Sequence, residues 1–131
     1  MFLVDTTVWI DYFRGNDTAQ VKYLTSALEA DQDICICGPV LTEILQGITD
    51  EEQFVKTKKF LGFLIYLPLS ESNFLLSAEI YRSSRSKGKS VRKTIDCFIA
   101  SCAITHKIPL LHTDEDYVII EKYSQLKCLK V

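Results

Sequence analysis

Short apolar runs alternate along the chain with longer stretches whose apolar positions recur every three or four residues. Phe2–Val4 is uninterrupted and apolar, the pattern of a strand buried on both faces. Val8, Trp9, Tyr12 and Phe13 follow at helical spacing, with Thr6 and Thr7 as candidate caps and Gly15 as a stop. Val21, Leu24, Ala27 and Leu28 predict a second helix, and Ile34–Cys37 a second strand. Gly38-Pro39 then breaks the chain and suits a first helical turn, after which Leu41, Ile44, Leu45 and Ile48 form an apolar stripe. Residues 50–61 are acidic first and basic last, which favours a helix through its dipole. Residues 64–67 predict a third strand closed by Pro68, residues 71–85 a helix, and residues 86–90 a polar loop around Gly88. Thr94–His106 predicts an apolar helix with Thr94 as its cap. Residues 109–112 predict a fourth strand, 113–123 a short helix, and 127–131 a final strand.

Strands that alternate with helices predict an α/β fold around a mostly parallel sheet. Such sheets bind ligands beyond the carboxyl ends of their strands, where the strand order reverses. Asp5 closes the first strand and Asp114 follows the fourth, so neighbouring placement of those strands would bring the two acids together.

Composition narrows the class. The chain has 131 residues, 47% of them hydrophobic and 24% charged, which suits one globular domain spanning residues 1–131. Five cysteines show no paired zinc spacing and read as small buried hydrophobes. The chain opens on Met-Phe-Leu-Val-Asp, without a signal-peptide core, and residues 63–69 and 97–104 are too short to span a bilayer. A cytoplasmic protein with no membrane partner is the expectation. The net charge of −2 argues against nucleic acid as a partner, unless bound cations mask several acids.

Four acids are candidates for that role. Asp5 reads either as a ligand at a strand end or as a cap of the next helix. Glu43 lies among Val40, Leu41, Ile44 and Leu45, where a carboxylate needs a partner unless it faces solvent beside Thr42 and Gln46. Asp96 and Asp114 each read also as ordinary acids at positive helix ends. Their joint occurrence carries the argument. Carboxylates this close cannot all ionise without a cation, and an oxygen-only donor set suits magnesium or manganese. A site of this kind activates water and stabilises a phosphodiester leaving oxygen, so no nucleophilic Ser, Cys or His is required. His106 and His112 read as structural.

The motifs around these acids carry a resemblance. Val4-Asp5-Thr6-Thr7-Val8-Trp9-Ile10-Asp11-Tyr12 resembles the opening motif of PIN-domain nucleases, in particular the VapC toxins of toxin–antitoxin pairs. Thr42-Glu43-Ile44-Leu45-Gln46-Gly47, Asp96-Cys97-Phe98-Ile99-Ala100 and Leu110-Leu111-His112-Thr113-Asp114-Glu115-Asp116-Tyr117 resemble the later motifs, in order. The resemblance implies a five-stranded parallel sheet in the order 3-2-1-4-5 between helices, and Mg2+- or Mn2+-dependent cleavage of RNA. It implies restraint by a small cognate antitoxin and a tendency to homodimerise. Asp5, Glu43, Asp96 and Asp114 take the acidic positions, with Asp116 assisting and Thr6 and Thr7 orienting the acids. Arg82, Arg85, Lys87, Lys89, Arg92 and Lys93 approach Asp96 and read as an RNA-backbone contact or as a solvated loop. Trp9, Tyr12, Phe13, Phe54, Phe60 and Phe63 are candidates for a partner's docking groove, although helical spacing favours core packing for at least two of the first three.

Two other enzyme classes fit poorly. A haloacid-dehalogenase-type phosphatase needs an acid two residues after Asp5, where Thr7 stands, and a receiver domain needs acids within residues 2–4, where there are none. A structure-specific DNA nuclease of the same fold carries extra helical arches for which the chain has no room. A housekeeping RNA-processing nuclease and a non-catalytic RNA-binding module of this fold remain the alternatives.

Overall fold

A computed structural model describes residues 1–131. The elements run β1 (Phe2–Val4), α1 (Thr6–Arg14), α2 (Ala19–Glu29), β2 (Ile34–Cys37), α3 (Gly38–Gln46), α4 (Glu51–Leu61), β3 (Ile65–Leu67), α5 (Glu71–Ser86), α6 (Thr94–His106), β4 (Leu110–Leu111) and α7 (Glu115–Lys122). The strands form one parallel sheet in the order β3-β2-β1-β4. Every residue of β1 and β2 is buried, as continuous apolar runs in a helix-covered parallel sheet should be. Edge strand β3 instead leaves Tyr66 exposed.

The sheet has four strands, and the fifth expected over residues 127–131 does not form. A single parallel bridge joins Leu110 to Cys128, held by hydrogen bonds from Leu110 N to Lys127 O and from Leu129 N to Leu110 O, both 2.9 Å. The segment lies on the expected edge but pairs only there. The Cys128 amide turns instead to the Glu121 carboxylate at 2.8 Å, which also holds Lys130.

Helix ends follow local chemistry. Gly15 closes α1 at φ 75°, a left-handed conformation that favours glycine, and its N–H bonds the carbonyls of Asp11 and Tyr12. Asp5, not Thr6 or Thr7, caps α1. Lys93, not Thr94, takes the cap position of α6, which makes Asp96 the third residue of that helix. Within α6, Ala100, Ser101, Cys102 and Ala103 are buried small side chains, and Ser101 lies on the face that meets α5. Polar groups tie that contact: Asn73 Nδ2 donates to Ser101 and Thr105 at 3.4 and 3.1 Å, and Ser77 Oγ donates to the Cys97 carbonyl at 3.2 Å. All five cysteines are free, four of them buried, in line with their reading as small hydrophobes. No helix is long and apolar enough to cross a membrane.

Candidate active site

Adjacent β1 and β4 carry their following residues to one end of the sheet. Leu3 pairs with Leu110 and Val4 with Leu111, so Asp5 and the turn containing Asp114 emerge side by side. Asp5 is 2% exposed and both of its oxygens are engaged. Oδ2 accepts from Thr7 N at 3.1 Å and Thr7 Oγ1 at 2.6 Å, and Oδ1 accepts from the Tyr117 hydroxyl at 2.6 Å. Asp5 therefore caps α1, and its Oδ1 shares the Tyr117 hydroxyl with Asp96. Thr7 Oγ1 also accepts from Thr113 N at 3.4 Å, which ties α1 to the turn after β4.

The first turn of α6 presents Asp96, and the first turn of α7 presents Asp114 and Asp116. Carboxylate oxygens of these three residues all lie within 4.8 Å of one another. Asp96 is 4% exposed. Its Oδ1 accepts from the Tyr117 hydroxyl at 3.3 Å, while its Oδ2 is buried and has no partner. Asp114 caps α7 by accepting from Asp116 N at 2.9 Å. Glu43, on α3, accepts from Thr6 Oγ1 at 2.7 Å. Thr6 and Thr7 thus hold one acid each.

Burial and neighbouring charge act together in this arrangement. Burial, then Asp5 and Asp114, push the Asp96 carboxyl up to about 7, with Lys93 acting weakly the other way. Burial and then the neighbouring Asp5 and Asp96 raise the Tyr117 phenol, so it stays protonated and remains a donor. An unpartnered buried carboxylate oxygen is costly in an apolar interior and is relieved by a proton or by a cation. The donor set consists of hard oxygens on short side chains, which fits magnesium or manganese and not a soft metal.

The basic residues divide. Arg92 turns onto the acids: its Nε lies 3.2 Å from Asp116 Oδ1, its Nη2 3.5 Å from Asp114 Oδ1, and its backbone N donates to Asp116 Oδ2 at 3.2 Å. Arg82 and Arg85, with Ser83 and Ser86, line an open polar hollow of about 500 Å³ on the last turns of α5. Arg85 also lies over the Tyr81 ring at 5.7 Å. Lys87 and Lys89 are exposed in the connection to α6, and Lys93 is exposed at its start.

A groove of about 370 Å³ runs between α1, α3 and α4, lined by Ile10, Phe13, Ile44 and Ile48 with Arg14 and Glu43 on its walls. Glu43 is the sole acid of the site that reaches it. Trp9 belongs to the core at 0% exposure, stacked on Phe13 and edge-on to Tyr12 and Phe60, as helical spacing had suggested. Phe13 and Phe63 keep substantial exposure and Phe54 is half-buried.

The family model for the PIN domain matches residues 2–123. The chain belongs to the PIN-domain family. Ribonuclease VapC11 of Mycobacterium tuberculosis is 33% identical over 129 residues, covering 97% of this chain and 96% of that protein. Two solved structures share the fold. VapBC2 from Rickettsia felis, bound to a DNA fragment from its promoter, superposes with a TM-score of 0.76 at 20% identity, covering 98% of this chain and 96% of that one. VapBC-5 from Mycobacterium tuberculosis, a member of the VapBC family of toxin–antitoxin systems, gives 0.70 at 19% identity over 99% and 98% of the two chains.

Within this PIN domain, sequence reasoning missed two side chains that contact the acids. Tyr117 stood only as the aromatic of the last motif, yet its hydroxyl spans Asp5 and Asp96. The signal was the hydroxyl itself, since a phenylalanine would fill the same buried space. Arg92 was grouped with the RNA-facing cations, and nothing in its spacing set it apart from Lys89 or Lys93.

Proposed function

We propose that this chain is an endoribonuclease that uses Mg2+ or Mn2+ to hydrolyse RNA phosphodiester bonds, and that it acts as the toxin of a toxin–antitoxin pair. The observation that carries the reading is the unpartnered buried oxygen of Asp96 within a cluster shared with Asp114 and Asp116, beside Asp5. A non-catalytic module would have no use for that oxygen, which costs stability while it lacks a cation. The names of the curated relatives, ribonucleases of the VapC group, agree with it.

Asp96, Asp114 and Asp116 would hold the cation, with Asp5 and Glu43 completing the acidic surround. A divalent cation there supplies neutralisation of the carboxylates, polarisation of the phosphodiester and activation of the attacking water. The chain's own residues prepare the site. Thr7 and Tyr117 fix Asp5 from both sides, Thr6 holds Glu43, and the buried start of α6 holds Asp96 against solvent. Arg82, Arg85, Lys87 and Lys89 offer charge to an RNA backbone approaching along α5.

Restraint by an antitoxin fits the groove between α1, α3 and α4. Ile10, Phe13, Ile44 and Ile48 line it beside Glu43 and Arg14, so an apolar segment whose basic residue meets Glu43 away from Arg14 would match it. The solved relatives named as VapBC assemblies support this partner. A homodimer in the cytoplasm is the accompanying expectation.

The deciding experiment incubates purified protein with RNA, with and without Mg2+ or Mn2+, beside Asp5→Asn. Cleavage that needs the metal and is lost in the variant supports the reading. Cleavage that persists with excess chelator, or equal cleavage by the variant, overturns it.

A further inference from the structure

Arg92 makes an ion pair unlike the others in the molecule. Lys22–Asp17 and Lys56–Glu52 join groups that are at least 69% exposed, and Lys130 meets a Glu121 that is 25% exposed. The Arg92 side chain, 70% exposed, reaches carboxylates that are only 11% and 4% exposed, Asp114 and Asp116. These are two of the three carboxylates whose oxygens cluster within 4.8 Å. The neighbouring backbone is fixed independently of the guanidinium. Val91 is buried at 1% exposure, and Arg92 N donates to Asp116 Oδ2 at 3.2 Å.

We propose that Arg92 is a built-in counter-ion of the carboxylate cluster, holding Asp114 and Asp116 in the metal-free protein and yielding them to a divalent cation, so that its guanidinium sets the metal affinity of the site. The inference rests on the metal-dependent reading above. Without a cation, Asp5, Asp96, Asp114 and Asp116 crowd one end of the sheet, and repulsion would splay the α6 and α7 turns apart. The guanidinium offsets that repulsion at two of the acids and leaves Asp96 Oδ2 unpartnered. A guanidinium on Asp114 and Asp116 weakens a dication's hold on the same pair, by sharing their oxygens and by direct repulsion. By linkage, whatever the arginine contributes to the empty site is lost from cation affinity. Since the guanidinium is largely solvated, the effect is moderate.

The test is a titration with Mn2+ alone, without RNA, followed by calorimetry on the full chain. Arg92→Gln keeps the backbone contact and most of the side-chain length while removing the charge. Its Kd for Mn2+ should fall about fivefold below wild type. Arg92→Lys should stay close to wild type, because it restores the charge at the same place. Lys58→Gln, on exposed α4, makes the same change in net charge and should leave the Kd within about twofold. Unchanged or weaker binding by Arg92→Gln, in a series where wild type binds, overturns the role of Arg92 alone. Equal tightening by Lys58→Gln also overturns it, because net charge then explains the effect. Failure of every protein to bind millimolar Mn2+ overturns the metal centre and this inference together.

Discussion

Replacing Asp96 by asparagine should stabilise the metal-free protein, although it removes a proposed metal ligand. The Asp96 carboxyl is pushed from its ordinary 3.8 up to about 7 by burial and by the neighbouring acids. A folded-state pKa above the unfolded one means that the folded chain prefers the proton. The associated stability is present below about pH 4 and drains away as pH rises through 7. Once both states are ionised, the carboxylate opposes folding by about 4 kcal/mol, a ceiling that relaxation of the neighbouring Asp114 and Arg92 will lower. At pH 4 the same group opposes folding by less than about 1 kcal/mol. The amide introduced by Asp96→Asn carries no charge, keeps an acceptor for the Tyr117 hydroxyl, and removes the drain. The assay is urea unfolding in chelator at pH 4.5 and pH 8, wild type against Asp96→Asn. The variant should gain about 2 to 3 kcal/mol relative to wild type between the two pH values. Mn2+ at a hundred times its Kd should remove most of that advantage at pH 8, because such a ligand adds about 2.7 kcal/mol only to the protein that binds it. A stability difference that is flat between pH 4.5 and 8 would refute the reasoning, since the cost of burying a charged Asp96 beside other acids would be absent.

Further outcomes follow from the same geometry. Asp5→Asn should abolish both RNA cleavage and growth inhibition on induced expression, scored by plating, and wild-type protein should co-purify with a small partner encoded beside it. Tyr117→Phe leaves Asp5 Oδ1 without its 2.6 Å donor, and should cost about 1.5 to 3 kcal/mol in urea unfolding and at least tenfold in cleavage rate. Neutralising Arg85, Lys87 and Lys89 together should weaken RNA binding and flatten its salt dependence without moving the melting temperature by more than a degree or two, as read by fluorescence anisotropy and thermal unfolding.

Periodicity and turn chemistry were enough to read most of the architecture from the chain alone. Phe2–Val4 and Ile34–Cys37 are continuous apolar runs that suit buried strands, and Gly15, Pro39 and Pro68 mark where elements stop or start. The acids were legible because each interrupts or closes an apolar segment, where a charge needs a reason. What the chain could not reveal depends on pairing across large separations. Residues 127–131 have strand-like composition, but a strand exists only through its partner, and β4 offers just Leu110 before turning toward Asp114. Adjacency of β1 and β4 decides that Asp5 meets Asp96 and Asp114. The roles of Tyr117 and Arg92 likewise arise only in three dimensions. The Tyr117 hydroxyl bridges two carboxylates 112 and 21 residues away in sequence, and Arg92 meets acids more than twenty residues on. Local sequence sets which residues can cap, bury or charge a segment. Where the charges finally meet is a property of strand order, because electrostatic energy depends on distance through space and not along the chain.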